Sequence, residues 1–204
     1  MTEVRASIFL DQLQPQTLAY ISTWMRGTLP RSRMAAQIIE IAPGIDVEVL
    51  TDLVVKSADV GVGILAVERQ FGTLQFHSYS AAEVHAGSAA LLNSFTLGSS
   101  AFASPKILAS KVVTKLDDQH AFLMNRNRLG SLVVGGDSIY LLECQPAAYA
   151  ILACNEVEKE SHMKVIDVRM IGASGRLYLA GTEAEMRNAK HISETALEAG
   201  GKNL

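Results

Sequence analysis

The sequence predicts an α+β protein made of two similar domains in tandem, each with an antiparallel sheet flanked by helices. The main observation is an internal repeat: the 204-residue chain matches itself without a gap over about residues 13–74 when it is shifted by 103 positions. Identical residues coincide along this stretch, as in Leu13 and Leu116, Gly27 and Gly130, Glu40 and Glu143, Pro43 and Pro146, and Gly72 and Gly175. Because a domain commonly has about 100 residues, we assign residues 1–104 to the first domain and 105–204 to the second. Duplication also favours a pseudo-symmetric ring when several chains assemble.

The hydrophobic pattern predicts the same order of elements in both repeats. In chain order, the predicted segments are strands at 4–10 and 107–116, helices at 14–24 and 117–127, strands at 37–41 and 139–143, strands at 60–67 and 165–170, and strands at 74–77 and 177–180. The third pair of segments ends just before Pro43 and Pro146, and a helix is expected after each proline. The last two strands of each repeat are expected to be joined by a glycine-bearing turn, at 71–72 and 173–175.

Three further features refine this outline. The helix after Pro146 is expected to bury the face that runs from Ala147 to Val157, with Asn155, Glu158 and Lys159 on the opposite face. Capping boxes predict where the last helix of each repeat begins, at Ser80 with Glu83 and at Thr182 with Glu185. The stretch 97–105 is rich in glycine, serine and proline, and we interpret it as the linker between the domains.

Composition limits the possible partners. Hydrophobic residues make up 49% of the chain and charged residues only 19%, where roughly a quarter is usual for charged residues. This balance indicates apolar surface buried between subunits, with a well-packed two-domain monomer as the alternative. A net charge of -3 gives no basic field for nucleic acid, and no apolar stretch is long enough for a signal peptide or a membrane span. We therefore expect a cytoplasmic protein with neither a nucleic-acid nor a membrane partner.

The sequence gives little support to an enzyme. It contains no nucleophile elbow, phosphate-binding loop or zinc-protease motif. The pair Gly61 and Gly63 lacks the third glycine of a dinucleotide fingerprint, and the five histidines are scattered without metal-ligand spacing. Cys144 and Cys154 are expected to be buried thiols in a reducing compartment. We predict no catalytic residues, no cofactor and no metal.

One turn differs in charge between the two repeats. The segment 67–72 contains the adjacent charges Glu68 and Arg69, whereas its counterpart, 170–175, has no charge and only small residues after Ile171. A surface ion pair of this kind contributes little to stability, so an ordinary solvated pair is the simpler interpretation. If the two turns converge on a ring axis, however, charged and small segments would alternate around a wide opening.

These segments resemble a known family, the shell proteins of bacterial microcompartments. The stretch 52–60 resembles the helix-to-strand segment that carries a rim lysine in shell domains, and 171–177 resembles their Gly-Ser-Gly pore loop. From about residue 4 to residue 198, the chain is similar to the tandem-domain trimeric shell proteins of carboxysomes and related compartments, in the permuted, double-stacking branch. The segments that carry the similarity are 9–14, 40–45, 67–69, 145–150, 155–159 and 175–181.

The resemblance implies a structural role and specific residues. It implies a homotrimer with pseudo-hexameric symmetry that tiles a shell beside other shell hexamers and pentamers. Two such trimers can stack face to face as a dimer of trimers and enclose a chamber. It also implies a large central pore gated by Glu68 and Arg69, a route for anionic metabolites, and tiling edges at Lys56 and Lys159. The implied pore-loop residues are Gln70, Phe71, Gly72, Gly172, Ala173, Ser174 and Gly175.

Elementary chemistry is compatible with these roles, but it leaves an alternative open. An arginine is always charged and offers several donors, so it can bind a glutamate in one state and an anion in the other. The alternative is a trimeric regulatory protein that binds small molecules at subunit clefts. Sheet formation at high concentration would favour the shell protein, and a discrete trimer with tight ligand binding would favour the regulator.

Overall fold

The computed structural model describes residues 2–95, 103–126 and 130–200, and within them the two repeats have the same architecture. The first repeat comprises β1 (Glu3–Leu10), α1 (Pro15–Ser22), β2 (Ala35–Ala42), α2 (Val47–Ser57), β3 (Gly61–Glu68), β4 (Phe71–Ser78) and α3 (Ala81–Asn93). The second comprises β5 (Lys106–Val113), α4 (Asp118–Arg126), β6 (Ser138–Gln145), α5 (Tyr149–Glu160), β7 (Lys164–Arg169), β8 (Gly175–Gly181) and α6 (Glu183–Gly200). A 3-10 turn, Gly44–Asp46, precedes α2.

Both sheets are antiparallel and have the same strand order, β1-β2-β4-β3 and β5-β6-β8-β7. Even the irregularities repeat: the register shifts between Val4 and Ala6 in β1 and between Ile107 and Ala109 in β5. The peptide bonds before Pro43 and Pro146 are both cis. The predicted α+β fold with two tandem sheet-and-helix domains is therefore confirmed.

The predicted position of the glycine-bearing turn in the first repeat was wrong. Strand β3 continues to Glu68 and β4 begins at Phe71, so Arg69 and Gln70 form the turn and Gly72 lies inside β4. Gly72 is required for a different reason: a Cβ there would lie 2.4 Å from the carbonyl oxygen of Gly44. A Cβ at its counterpart Gly175 would likewise lie 2.2 Å from the carbonyl oxygen of Ala147. The glycine pattern therefore marks a close backbone approach rather than a turn.

The main hydrophobic core is shared between the domains. One cluster of buried residues combines Ile8, Leu10 and Ile21 of the first domain with Tyr149 and Cys154 of the second. Helix α5 is responsible, because it packs on its own sheet and also contacts β1 and α1. Apolar burial of this extent is the dominant stabilising contribution to folding, so the two domains stabilise each other.

The prediction that α5 has one solvated face was wrong for Asn155. Helix α1 of the first domain covers that face, and Asn155 is fully buried. Its amide accepts a hydrogen bond from the backbone N–H of Gln14 (3.0 Å) and donates one to the carbonyl oxygen of Gln12 (3.1 Å). The helical pattern gave the correct period, but it could not show that a second surface packs against α5.

The two predicted capping boxes have different outcomes. At the start of α6, the Glu185 carboxylate accepts from the Thr182 N–H (2.7 Å) while the Thr182 hydroxyl accepts from the Glu185 N–H (3.3 Å), so this box is confirmed. At the start of α3, Ser80 accepts from the Glu83 N–H (3.4 Å), but the Glu83 carboxylate accepts from the backbone of Asp59 instead. The second half of that box was therefore predicted wrongly.

The predicted linker, 97–105, falls mostly outside the described residues, and the boundary between residues 104 and 105 stays a prediction. In the described part of the chain, no helix is both long and apolar enough to cross a lipid bilayer.

Candidate pore segments and the domain interface

The start of α1 is capped by side chains of the other domain. Glu158 on α5 accepts hydrogen bonds from the backbone N–H groups of Gln16 (2.7 Å) and Thr17 (2.8 Å) and from the Thr17 hydroxyl (2.9 Å). The first N–H groups of a helix have no partner inside the helix, and α1 has no side-chain cap of its own at Gln14. A carboxylate is also favourable at the positive end of the helix dipole.

Two further side chains of the first domain bind the edge of the second sheet. The Gln16 amide donates to the carbonyl oxygen of Met163 (3.0 Å) and accepts from the N–H of Val165 (2.9 Å). One turn further along α1, the Tyr20 hydroxyl donates to the carbonyl oxygen of Ile166. These contacts fix α1 against β7 in a defined register. They involve backbone groups of an edge strand, on whose outer side no further strand lies among the described residues.

The predicted gate residues lie at an exposed hairpin tip. Arg69 is the first residue of the turn, has φ +54 and exposes 86% of its side chain. Its Nε lies 3.8 Å from Oε1 of the adjacent Glu68. At this distance and exposure an ion pair contributes on the order of 0–1 kcal/mol. The guanidinium is therefore held weakly, on a backbone conformation that non-glycine residues rarely adopt.

Behind this turn, Arg5 links the predicted pore segment to the domain interface. Its guanidinium carbon lies 3.6 Å from the centre of the Phe71 ring, a cation–π arrangement. Its Nε also lies 3.4 Å from Oε1 of Glu40, which is buried. The other oxygen of Glu40 accepts from the N–H of Ala148 in the second domain (3.0 Å). A chain of three side chains thus runs from the first domain's turn to the start of α5.

Burial changes the acidity of Glu40. Removal from water raises the pKa of its carboxyl, because the charged form is disfavoured, and the bond from Ala148 and the charge of Arg5 only partly oppose this effect. Its counterpart in the repeat, Glu143, has a lowered pKa because Ser174 and Arg176 donate hydrogen bonds to it. The same position therefore has opposite environments in the two domains.

The second predicted pore segment contains no charged residue. It spans residues 170–174 between β7 and β8, and Gly175 already belongs to β8. The Ser174 hydroxyl donates to Glu143 (2.6 Å), and the carbonyl oxygen of Ala173 accepts from the Gln145 side chain (3.1 Å). These bonds hold the segment on its own sheet. Of the two predicted pore segments, only the first domain's turn carries charged side chains.

The two predicted tiling lysines have different surroundings. Lys56 lies on an exposed surface of α2, where its Nζ contacts Asp52 (2.6 Å). Lys159 is less exposed, and its Nζ contacts Asp11 (2.5 Å) and Glu156 (2.9 Å). These two acids and their hydrogen bonds raise the pKa of Lys159 despite its partial burial. The role of either lysine in tiling stays a prediction.

The two cysteines lie in the core of the protein. Cys144 and Cys154 are buried thiols, as predicted, and burial raises the pKa of each to about 12. Among the residues that the structure describes, no group of three His, Cys, Asp or Glu side chains lies close enough to hold a metal ion. Sequence reasoning missed Asn155, Glu158 and Arg5, whose partners lie far away in the chain.

Comparisons with known proteins place this geometry in a family. The family model of the CsoS1D N-terminal domain matches residues 4–101. The carboxysome shell protein CcmP of Synechococcus elongatus is 37% identical over 196 residues, which cover 96% of this chain and 92% of CcmP. The chain belongs to the tandem-domain family of microcompartment shell proteins. Membership of this family confirms the expectation of a structural component rather than an enzyme, and it favours the shell protein over the regulatory alternative.

Two solved structures support the same assignment of this shell protein. The fused permuted hexameric shell protein MSM0275 of the RMM microcompartment is 52% identical, with a TM-score of 0.94 and 98% of each chain covered. The double-ringed trimeric shell protein MSM0271 of the same microcompartment is 37% identical, with a TM-score of 0.92 and coverage of 98% of this chain and 97% of that one. The resemblance to permuted tandem shell domains is therefore confirmed.

Proposed function

We propose that three copies of this shell protein close into a pseudo-hexameric tile, and that the segments 68–72 and 172–175 border its central pore. The supporting observation concerns the interface between the two domains. Because the domains are repeats, each also carries the surface that its counterpart uses in this interface, and these two surfaces can pair between chains. Within the chain, α1 of the first domain packs on α5 and β7 of the second. A shift of 103 positions maps this interface onto α4 of one chain and α2 with β3 of another. Three such contacts close a ring of six domains.

Exposure of apolar side chains supports this interface. Leu123 on α4 is the counterpart of Tyr20, yet Leu123 is 57% exposed where Tyr20 is 8% exposed. Val55 on α2, the counterpart of Glu158, is 47% exposed. Exposed apolar residues on two surfaces that correspond to a buried interface indicate that both are covered by another copy.

A polar side chain at the same position of the repeat also supports this interface. Gln119 repeats Gln16, so it is positioned to bind the partner subunit's Val60 and Val62 as Gln16 binds Met163 and Val165. Helix α4 differs in having its own cap, because the Asp117 carboxylate accepts from the Gln119 N–H (2.8 Å). The cap that Glu158 supplies within the chain is therefore not needed between chains, where an apolar valine stands instead.

The ring would place three charged and three small segments around one axis. In this arrangement Glu68 and Arg69 form the gate, and Gln70, Phe71 and Gly72 support it, while residues 172–175 form the alternating small segments. Because the Glu68–Arg69 pair is weak and exposed, Arg69 can leave Glu68 at little cost and bind an anion instead. Three arginines at one opening favour the passage of anionic metabolites.

Oligomer mass tests the ring. We expect native mass spectrometry of the purified protein to show a species of three times the 22.0 kDa of one chain, and a species of twice that size if two tiles stack. Leu123→Asp should abolish the trimer. Leu132→Asp is the matched control: Leu132 is 68% exposed, and its counterpart Leu29 is 67% exposed, so the domain interface covers neither position. A monomeric parent, or a trimer that survives Leu123→Asp, would contradict the proposal.

A structural comparison tests the gate. Cryo-electron microscopy of the parent and of Arg69→Ala should show an occluded pore in a fraction of parent particles only. Arg187→Ala is the control, because Arg187 is an exposed arginine that binds Glu183 on α6. An unchanged distribution of pore widths in Arg69→Ala would contradict the gate but leave the trimer intact.

The tile is proposed to join other shell hexamers and pentamers, with Lys56 and Lys159 at its edges. Lys56 is the better candidate for contact with a neighbouring tile, because its side chain is 71% exposed and binds one exposed carboxylate, whereas the Lys159 side chain is 25% exposed and binds two.

A further inference from the structure

A cavity of about 760 Å³ lies between the two domains, away from the proposed pore segments. It is bordered by β1, β2 and α3 of the first domain and by α5 and α6 of the second. Its size is within the range of sites for small organic ligands, which is roughly 300–1,000 Å³. Because all five elements belong to one chain, the cavity does not depend on the proposed trimer.

The walls of this cavity are mostly apolar and aromatic. The Phe9 ring stacks on the His85 ring, with centroids 4.2 Å apart and an angle of 26° between the planes. Leu92, Leu152 and Ile192 line the cavity as well. Such a surface favours the apolar body of a ligand, and an aromatic face attracts a nearby cation.

The charged groups of the lining are acidic. Glu156 and Glu160 line the cavity, and no lysine or arginine does so among the described residues. Glu156 already contacts Lys159 (2.9 Å), whereas no ion pair of Glu160 is found within the described ranges. A carboxylate beside an apolar wall selects a cation over an anion.

Two further features of the lining are relevant to ligand binding. Tyr149 lines the cavity, and its hydroxyl is buried without a hydrogen-bond partner in the part of the chain that the structure describes. A buried polar group in this state favours a ligand or a water molecule that can bind it. In the second domain, moreover, the groove beside β5 is lined by three basic residues and one acidic residue, Lys111, Arg187, Lys190 and Glu194, so an acidic lining is not a general feature of the repeat.

We propose that this interdomain cavity binds a small organic cation, a primary amine attached to an apolar or aromatic body. The amine is placed beside Glu160 and the body lies between the Phe9–His85 pair and the wall formed by α5 and α6. This activity would add ligand binding to a protein whose family role is structural.

Calorimetric titration of the intact protein at pH 8 with three matched probes tests the proposal. The probes are 2-phenylethylamine, the neutral 2-phenylethanol and the anionic 3-phenylpropionate, which share a ring but differ in charge. We expect the amine to bind most tightly and the anion most weakly. Equal or tighter binding of 3-phenylpropionate, or no binding of any probe at millimolar concentration, would overturn the proposal.

Variants locate the binding site. Leu152→Trp fills the cavity and should abolish amine binding, and Ala199→Trp, at a more exposed lining position, does the same if the first variant fails to fold. Glu160→Gln should weaken amine binding about three-fold, the effect of a partly exposed ion pair. Glu198→Gln, an exposed change on α6 outside the lining, should leave binding unchanged. Amine binding that persists in both tryptophan variants would place the ligand elsewhere and refute the site.

Discussion

Replacing Glu158 with alanine should destabilise the chain although Glu158 lies at no proposed pore or ligand site. Its carboxylate accepts three hydrogen bonds from the start of α1, two of them from backbone N–H groups. Thr17 is fully buried, so its N–H would be left without an acceptor, whereas Gln16 is partly exposed and can bind water. A buried donor without a partner costs about 1–3 kcal/mol, and loss of a helix N-cap typically costs about 1 kcal/mol.

We therefore expect Glu158→Ala to lower the free energy of unfolding by about 2–3 kcal/mol. For a chain of this length, 1 kcal/mol corresponds to about 2–4 °C in Tm, so the expected fall is roughly 5–10 °C. The measurement is urea and thermal unfolding followed by circular dichroism, at one fixed protein concentration because subunit association also changes Tm.

Two further variants make this test specific. Glu158→Gln keeps one acceptor oxygen, and we expect it to lose only about half as much stability as the alanine variant. Glu198→Ala removes an exposed glutamate from α6, where changes usually stay within about 0.5 kcal/mol. If Glu158→Ala were as stable as Glu198→Ala, the cap between the domains would not contribute to stability and the reasoning would be refuted.

Three other predictions concern buried titratable groups. Burial lowers the pKa of His77 to about 4 from 6.5, so the fold loses stability as pH falls through that range, and His77→Gln should flatten the fall of Tm; an unchanged slope would contradict this. Burial raises the pKa of Glu40 above 4.5, so ionisation of its carboxyl costs stability as pH rises. The difference in Tm between Glu40→Gln and the parent should therefore increase from pH 4.5 toward neutrality; a decrease would contradict this. Since burial raises the pKa of Cys144 and Cys154 to about 12, neither should react with DTNB in the native protein and both should react in denaturant; rapid reaction of either native thiol would show that it is accessible.

The sequence was sufficient for the fold because the signals that specify it are local and appear twice. Alternating apolar residues located β1, with Ala6, Ile8 and Leu10 buried on one face, and the repeat made each strand assignment a test of its counterpart. The two prolines correctly marked the ends of β2 and β6. The predicted end of β5 was too late, because β5 ends at Val113 rather than at residue 116.

The domain interface could not be predicted in the same way. The partners of Gln16 and Thr17 lie more than 140 residues away in the chain, and no periodicity encodes such a pairing. One signal was available: Asp117 can cap α4, whereas its counterpart Gln14 is not a preferred N-cap residue and makes no side-chain cap bond to α1. A difference between two copies at a cap position indicates that one helix obtains its cap elsewhere.

The acidity of Glu40 shows a second limit. In the sequence Glu40 and Glu143 occupy the same position of the repeat, yet one is buried against α5 and the other is partly exposed beside Arg176. The pKa of a carboxyl follows its burial and its neighbours. Both depend on how the second domain packs, which the amino-acid pattern alone does not determine.

The contact between the domains and the proposed contact between chains use equivalent surfaces, but they should respond differently to dilution. Inside the chain, α1 and α5 are joined by a continuous backbone, so they meet at an effective concentration that is independent of the amount of protein present. The equivalent contact between α4 and another copy's α2 would be bimolecular and would weaken as the protein is diluted. Changes at Glu158 are therefore expected to act on the fold at every concentration, whereas changes at Leu123 act on the concentration at which the protein assembles.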